Sequence, residues 1–353
     1  MRIQFVVHLF PPKHNCGGES YIFHTAKYLQ SRGHDVRVLL LDADWYKIKT
    51  PYIHEGIMVL GDPKSNLDAY RWADVNCTHL DKTSFVINIC RMIKRPVVCF
   101  LHSHHTYEPN PILRAPTHAV SVVYNSHWIR EILNYPHPGI VMYPPVDYNY
   151  YNVNENPEDN PYVSMISVNE NKGGYLLYRI AQRMPDIRFL AVVGSYDDGY
   201  IQPEIIKLLE KCPNVKIVPN DPDIRKYYRQ TRVLLVLSRY ESWGMVATEG
   251  MCNGIPVIAC PTPGLQENCQ DAAIYAPKRG EYDVDKQTGK VIQHDGESYD
   301  IEPVVDEIRK LEDKEYYQAY SAAGRKRAME LKPDTNFLEL ENHIINAQRV
   351  FGY

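Results

Sequence analysis

Two successive alternations of short apolar runs with helix-period segments limit this chain to an α/β architecture built twice. The first begins at once. Residues 3–9 read as a strand, 11–18 as a loop and 20–32 as a helix with Ile22, Ala26 and Leu29 on one face and Gly33 as its stop. The next strand is 36–41, followed by strands at 57–60, 75–79, 97–102 and 119–124, with helices at 83–93 and 126–133, the latter capped by Ser126. The alternation restarts with strands at 163–168, 189–193, 215–218, 233–237 and 256–259. Runs this short and continuous suit strands buried on both faces of a parallel sheet.

A length of 353 residues fits two domains. Residues 1–145 read as the first Rossmann-like domain and 162–335 as the second. Between them, 146–161 is rich in Asn, Pro and Tyr without an apolar period and reads as a linker. Residues 336–353 form a C-terminal helix expected to pack back on the first domain. Tyr317, Tyr320, Ala323, Met329, Leu338, Leu340 and Ile344 are the expected core contacts of the helical tail, and 278–296 reads as a polar loop or hairpin.

Charge divides unevenly. Residues 1–145 carry 15 Lys/Arg against 11 Asp/Glu and twelve of the fourteen His, whereas the remainder holds 24 against 32. The basic half either faces something anionic or spreads its excess over a solvated surface. The eight cysteines include no Cys-x-x-Cys pair and no zinc-ligand spacing, which predicts reduced thiols in a cytoplasmic protein. The opening apolar run is too short for a signal sequence. No run approaches the ~20 apolar residues of a membrane span, so the expectation is a soluble chain, at most peripheral to a membrane.

Candidate chemistry gathers where strands give way to helices, since ligands of doubly wound sheets bind at the carboxyl ends of the strands. Glu241 and Glu249 stand eight positions apart, one in the loop after strand 233–237 and one inside the following helix. Between them the first-turn N–H groups of Gly244, Met245 and Val246 attract anions. In the equivalent loop after the first strand of that half, Ser167-Val168-Asn169-Glu170-Asn171-Lys172-Gly173-Gly174 offers a lysine point charge for a diphosphate. In the first half, Gly17 and Gly18 precede a helix and either admit a ligand closely or make a tight turn. His102 closes a strand ahead of Ser103, His104 and His105, without a carboxylate at metal-ligand spacing, so metal binding is not expected there. Asp42-Ala43-Asp44, Asp221-Pro222-Asp223 and Asp283-Val284-Asp285 match a short metal-binding pattern by chance, none standing beside the other motifs. A Gly-x-Ser-x-Gly elbow is absent.

The segment 238–267, with Glu241-Ser242-Trp243-Gly244-Met245-Val246-Ala247-Thr248-Glu249, then Gly254-Ile255-Pro256-Val257 and Gly264-Leu265-Gln266-Glu267, resembles the Glu-x7-Glu signature of family 4 retaining glycosyltransferases. Gly17-Gly18-Glu19, His102, Asn125-Ser126, Pro145-Val146-Asp147 and Lys172-Gly173 extend the resemblance over most of the chain. It implies the GT-B fold, two Rossmann-like domains facing across a cleft. It also implies that Glu249 binds the donor ribose, Glu241 the hydroxyls of the donor sugar, and Gly244, Met245 and Val246 the sugar and phosphates. Lys172 would balance the diphosphate, Gly17 and Gly18 would approach it from the opposite domain, and His102 would contact the sugar or shape the acceptor site. Such enzymes usually need no metal, the nucleotide sugar being a co-substrate rather than a cofactor, and UDP is the commonest donor nucleotide. The two glutamates bind and are not a glycosidase acid and nucleophile.

One position departs from the family. An arginine usually stands where this chain has Ser167, with Arg239 the candidate replacement. The readings left are a retaining hexosyl- or pentosyltransferase, a sugar-nucleotide epimerase, and a nucleotide-sugar-binding protein with weakened catalysis. The acceptor would be a hydroxyl on a glycan or lipid-linked sugar, or an anionic acceptor such as a hydroxymethylated base in DNA, with Lys47, Lys49, Arg91, Lys94 and Arg95 as phosphate contacts. Loops 194–199 and 219–221 are expected to touch the donor base.

Overall fold

A computed structural model describes residues 1–12, 14–61, 66–104, 111–194, 203–276, 282–284, 291–293 and 300–351. The chain divides into two compact units, Met1–Pro145 with Pro333–Tyr353, and Val146–Lys332. Each is an α/β unit around a parallel sheet.

The first unit contains β1 (Arg2–Val7), β2 (Asp35–Leu40), β3 (Tyr52–His54), β4 (Ile57–Gly61), β5 (Val75–His79), β6 (Val97–Leu101), β7 (Val120–Tyr124) and β8 (Gly139–Val141). Their order in the sheet is β3-β4-β2-β1-β5-β6-β7-β8, with only β3 antiparallel to its neighbour. The chain leaves β1 towards β2 and later returns to pair β5 on its other side, which makes the β1/β5 boundary a switch point. Ile3, Phe5, Val7, Val38, Leu40, Val59 and Val98 are buried in the core that the helix Gly17–Ser31 covers through Ile22, Ala26 and Leu29. The C-terminal helix Asp334–Phe351 belongs to this unit. It buries Phe337, Leu340 and Ile344, stacks Phe337 on Tyr28 with ring centroids 4.4 Å apart, and aims Glu341 at Arg32 and His34, each 3.0 Å away.

The second unit contains β9 (Tyr162–Ile166), β10 (Phe189–Val192), β11 (Val215–Val218), β12 (Thr231–Val236), β13 (Val257–Ala259) and β14 (Ala273–Tyr275), all parallel in the order β11-β10-β9-β12-β13-β14. Its switch point lies between β9 and β12. A separate antiparallel hairpin, β15 (Tyr282–Val284) with β16 (Val291–Gln293), falls in the segment read as a polar loop or hairpin. Residues 146–161 carry the short helix Tyr148–Tyr151, capped by Asp147, and are tied to this unit by Asn154 bonding the Tyr228 carbonyl at 2.9 Å and by the Val153 N–H on Asn253 at 2.9 Å.

Several expectations need correction. The first helix starts at Gly17 rather than at residue 20, so both glycines are helical. Ser126 holds the N-cap position of His127–Leu133, but its hydroxyl turns to the Asn125 side chain at 3.1 Å instead of capping. Met329 and Leu338 are exposed, not core. In the helix Lys314–Glu330 the buried face carries Tyr317, Gly324 and Ala328, because small residues let it approach Met251 of the neighbouring helix closely.

Candidate active site

In the second unit the loops that leave β9 and β12 meet at the switch point. Lys172 Nζ forms an ion pair with Glu241 Oε1, which also accepts a 2.9 Å hydrogen bond from the Ser238 hydroxyl. Both partners keep some exposure, 34% for the lysine side chain and 13% for the glutamate, so they face an approaching ligand from a fixed starting geometry. The β9 loop is held by turns on Asn169, whose side chain accepts from the Lys172 N–H at 2.9 Å, and by the Arg239 N–H bonding the Asn171 carbonyl at 2.8 Å. Gly173 sits in the left-handed region at φ +86°, and a Cβ there would lie 2.6 Å from the Leu237 carbonyl oxygen. Only glycine allows this approach.

Gly244 starts the helix Met245–Cys252, and Met245 and Val246 occupy its first turn, where N–H groups lack intrahelical partners. Asn268 braces this end. Its amide nitrogen donates to the carbonyls of Trp243 and Gly244, both at 3.0 Å, and its oxygen accepts from Thr248 at 2.9 Å. Behind the loop, Gly264 in the helix Pro263–Cys269 packs so close that a Cβ would lie 2.5 Å from the Ser242 carbonyl carbon.

Glu249 lies one turn further, about 6 Å along the helix axis from Met245. It is 7% exposed. Tyr228 donates a 2.6 Å hydrogen bond to Oε2, and Tyr151 bonds the same carboxyl. Burial nevertheless raises the carboxyl to about 7, above its ordinary value, with the two tyrosines opposing that rise. Neither tyrosine stands near Glu249 in sequence, so the spacing of the glutamates gave no sign of them.

Ser167 adopts φ +63°, strained for a side-chain-bearing residue, directly after β9. The Arg239 guanidinium is 2.9 Å from Glu170. Its backbone lies against the Lys172 loop, while its charge is engaged by a neighbouring carboxylate. Two of the discounted Asp-x-Asp patterns are tied up by cations: Asp42 to Lys82 at 2.7 Å, Asp221 to Lys226, and Asp223 to Arg225 at 2.6 Å. Lys13, His105, Asp285 and residues 195–199 of the base-contact loop lie outside the described residues.

In the first unit, Gly17, Gly18 and His102 are grouped at the switch point with Glu19 and with two histidines that belong to no sequence motif, His8 and His79. His8 follows β1, His79 ends β5 and His102 follows β6, three neighbouring strands, while Glu19 projects from the first turn of Gly17–Ser31. The rings of His79 and His102 lie 5.2 Å apart, those of His8 and His79 5.6 Å. Burial lowers His102 to about 4 and raises Glu19 to about 7. Asking which residue terminates each parallel strand would have found the histidines. Lys47 and Lys49 follow β2, whereas Arg91, Lys94 and Arg95 precede β6, so these basic residues sit at opposite ends of the sheet.

The family described as "Glycosyl transferases group 1" matches residues 151–327, the segment that holds Lys172, Glu241 and Glu249. The chain belongs to the group 1 glycosyl transferases. This glycosyl transferase is also similar to the D-inositol 3-phosphate glycosyltransferase of Mycobacterium sp. strain KMS, 30% identical over 102 residues that cover 27% of this chain and 23% of that protein. The corresponding protein of Mycobacteroides abscessus is 33% identical over 96 residues, 26% of this chain and 22% of that one. The matches thus span less than a quarter of the curated relatives' length. Among solved structures, sucrose-phosphate synthase from Thermosynechococcus elongatus superposes with TM-score 0.75 at 15% identity over 97% of this chain and 98% of that one. Anabaena HepE in complex with UDP and glucose gives 0.72 at 15% identity over 98% and 100%. At such identities the likeness establishes the fold: this glycosyl transferase has the GT-B architecture of two Rossmann-like domains. Among its described residues, no helix is long and apolar enough to cross a membrane.

Proposed function

We propose that this group 1 glycosyl transferase moves a sugar from a nucleotide-sugar donor to a hydroxyl acceptor with retention of configuration. The observation that carries this reading is the Lys172–Glu241 ion pair at the β9/β12 switch point, beside the open first turn of Met245–Cys252. In the free protein the two charges hold each other. A bound donor would divide them, its diphosphate drawing Lys172 and the first-turn N–H groups, its sugar hydroxyls donating to Glu241. Negative charge grows on the diphosphate as it leaves, so Lys172 binds the transition state more tightly than the ground state. Glu249, oriented by Tyr151 and Tyr228, would accept from the ribose hydroxyls. In this reading Gly17, Gly18 and His102 serve the sugar and acceptor from the first unit, and the transfer step itself uses no metal.

A UDP-sugar is the favoured donor, supported by the HepE complexes with UDP and UDP-glucose, while the starch synthase structure from Arabidopsis thaliana, TM-score 0.68, binds ADP. The curated relatives are named for an inositol phosphate acceptor, and a phosphate-bearing small acceptor suits the basic first 145 residues. A DNA acceptor has less support, because Lys47 and Lys49 lie at the opposite sheet end from Arg91, Lys94 and Arg95 and form no continuous track with them.

Purified protein incubated with UDP-, GDP- and ADP-sugars should hydrolyse one of them slowly. Absence of both binding and hydrolysis for every donor would remove the reading. Ser167, with Arg239 engaged by Glu170, supports a second one: a nucleotide-sugar-binding protein without transfer. It predicts donor binding with no turnover in the presence of any acceptor. Conversion of a UDP-sugar alone into its epimer would instead mark an epimerase.

A further inference from the structure

His8, Glu19 and His79 place one ligand atom each within 4.8 Å of one another at the β1/β5 switch point of the first unit. Glu19 and His79 are fully buried, and the His8 side chain is 12% exposed. The polar atoms there are poorly satisfied among the described residues. Both Glu19 oxygens, both His79 nitrogens, His8 Nδ1 and His102 Nε2 are shut off from solvent without a hydrogen-bond partner in another residue. A single such atom costs about 1–3 kcal/mol, and chains rarely gather several in one place unless something fills the gap.

The orientation of His8 adds a second observation. Its Nε2 faces Glu19 Oε1 at 3.5 Å, while its Nδ1 faces the Asp81 carboxylate at 3.9 Å. A ligating histidine that turns one nitrogen to the ion and the other towards a carboxylate is the usual arrangement around zinc. We propose that His8, Glu19 and His79 form a site for a divalent transition-metal ion, zinc by its ligand set, with a water in the fourth position.

Two imidazoles and one carboxylate suit zinc better than magnesium or calcium, which take mostly oxygen ligands. Tetrahedral zinc spaces its ligands roughly 3.3 Å apart, so the side chains close in by rotamer adjustment when the ion enters. Coordination uses the ionised carboxylate and neutral imidazoles, so uptake is linked to proton release. The sequence concealed the set because its members come from the end of β1, the first turn of a helix and the end of β5. The site ties those three elements of the first unit together, and its role is structural.

The test uses the full chain, stripped by a chelator and titrated with Zn²⁺ alone, alongside Glu19→Gln and His79→Gln. Wild type should take up one zinc per chain, and its thermal midpoint should rise by roughly 5–10 °C with zinc at 100-fold its Kd. Glu19→Gln, which keeps the shape of the side chain, should lose most of that rise, and Co²⁺ should give wild type, but not the variant, an absorption spectrum of tetrahedral nitrogen-oxygen coordination. Zinc uptake that is identical in wild type and Glu19→Gln would mean adventitious binding to other histidines and would overturn the site. So would no uptake, or the same midpoint rise with Mg²⁺. If His79→Gln does not fold, Glu19→Gln decides, and donor binding, read separately, bears on the other proposal only.

Discussion

The Tyr228 hydroxyl donates a 2.6 Å hydrogen bond to Glu249, across the boundary between the helix Arg225–Tyr228 and the helix Met245–Cys252. Tyr151 reaches the same carboxyl from the helix Tyr148–Tyr151. The second glutamate of the pair is therefore a buried, pre-oriented acceptor. The first, Glu241, is a partly exposed member of an ion pair. Two identical side chains eight positions apart thus have different environments.

Donor affinity should rise with pH through about 7, where burial has placed the Glu249 carboxyl. The sign runs opposite to its effect on stability. Burial favours the protonated form, so the stabilising contribution is full below the unfolded pKa of about 4.3 and is lost as pH rises through about 7. Ribose hydroxyls donate best to the ionised form, so binding below pH 7 should release a proton. Calorimetry in buffers of different ionisation enthalpy would measure it, and Glu249→Gln should remove both the proton release and the pH dependence.

Tyr228→Phe leaves Glu249 with one hydrogen bond fewer in a buried place. Stability should fall by about 1–3 kcal/mol, and the midpoint of the pH dependence of donor binding should move upward, since a bond that favours the charged form is gone. Denaturant titration and the calorimetric pH series read the two effects separately.

Glu249→Ala and Glu241→Ala should separate kinetically. Loss of charged hydrogen bonds to the ribose should weaken donor binding about 10- to 100-fold with little change in kcat. Removal of Glu241 should lower kcat by roughly 10²-fold, because it leaves the transferred sugar unheld as charge develops. Equal activity of both variants and wild type would mean that the spacing of the glutamates has nothing to do with a donor.

Much of the framework was legible in the alternation of strand and helix patterns: the strand 75–79 and the helix 83–93 have the same limits in sequence and structure. Three-residue strands such as β3, β8 and β14 are too short to show a period. The rotation of the helix Lys314–Glu330 was misread because Met329 is the more apolar residue, whereas Gly324 and Ala328 allow the closer approach. At the switch points, residues that share a loop or helix could be read as a group. Tyr151 and Tyr228 on Glu249, or His8 and His79 on Glu19, come together only through strand order, which no local spacing encodes.

Gly264→Ala tests whether the geometry around Glu241 is set from behind. A methyl group there would meet the Glu241 carbonyl oxygen and the Ser242 carbonyl carbon, the latter at 2.5 Å, so backbone on one side must move. Neither side yields easily. The helix Pro263–Cys269 is fixed by Thr262, which accepts from the Leu265 N–H, and by Asn268 bracing the carbonyls of Trp243 and Gly244. Overpacking of this kind costs about 1–3 kcal/mol, within what a chain of this size tolerates. The folded variant should then carry Glu241 displaced from Lys172 and Ser238, and lose turnover out of proportion to its stability. Glu249 is held by tyrosines outside this contact, so donor affinity should change by no more than about 2.5-fold, roughly the 0.5 kcal/mol within which separate sites add. A variant that lost affinity and turnover together would show that the two glutamates are not positioned independently.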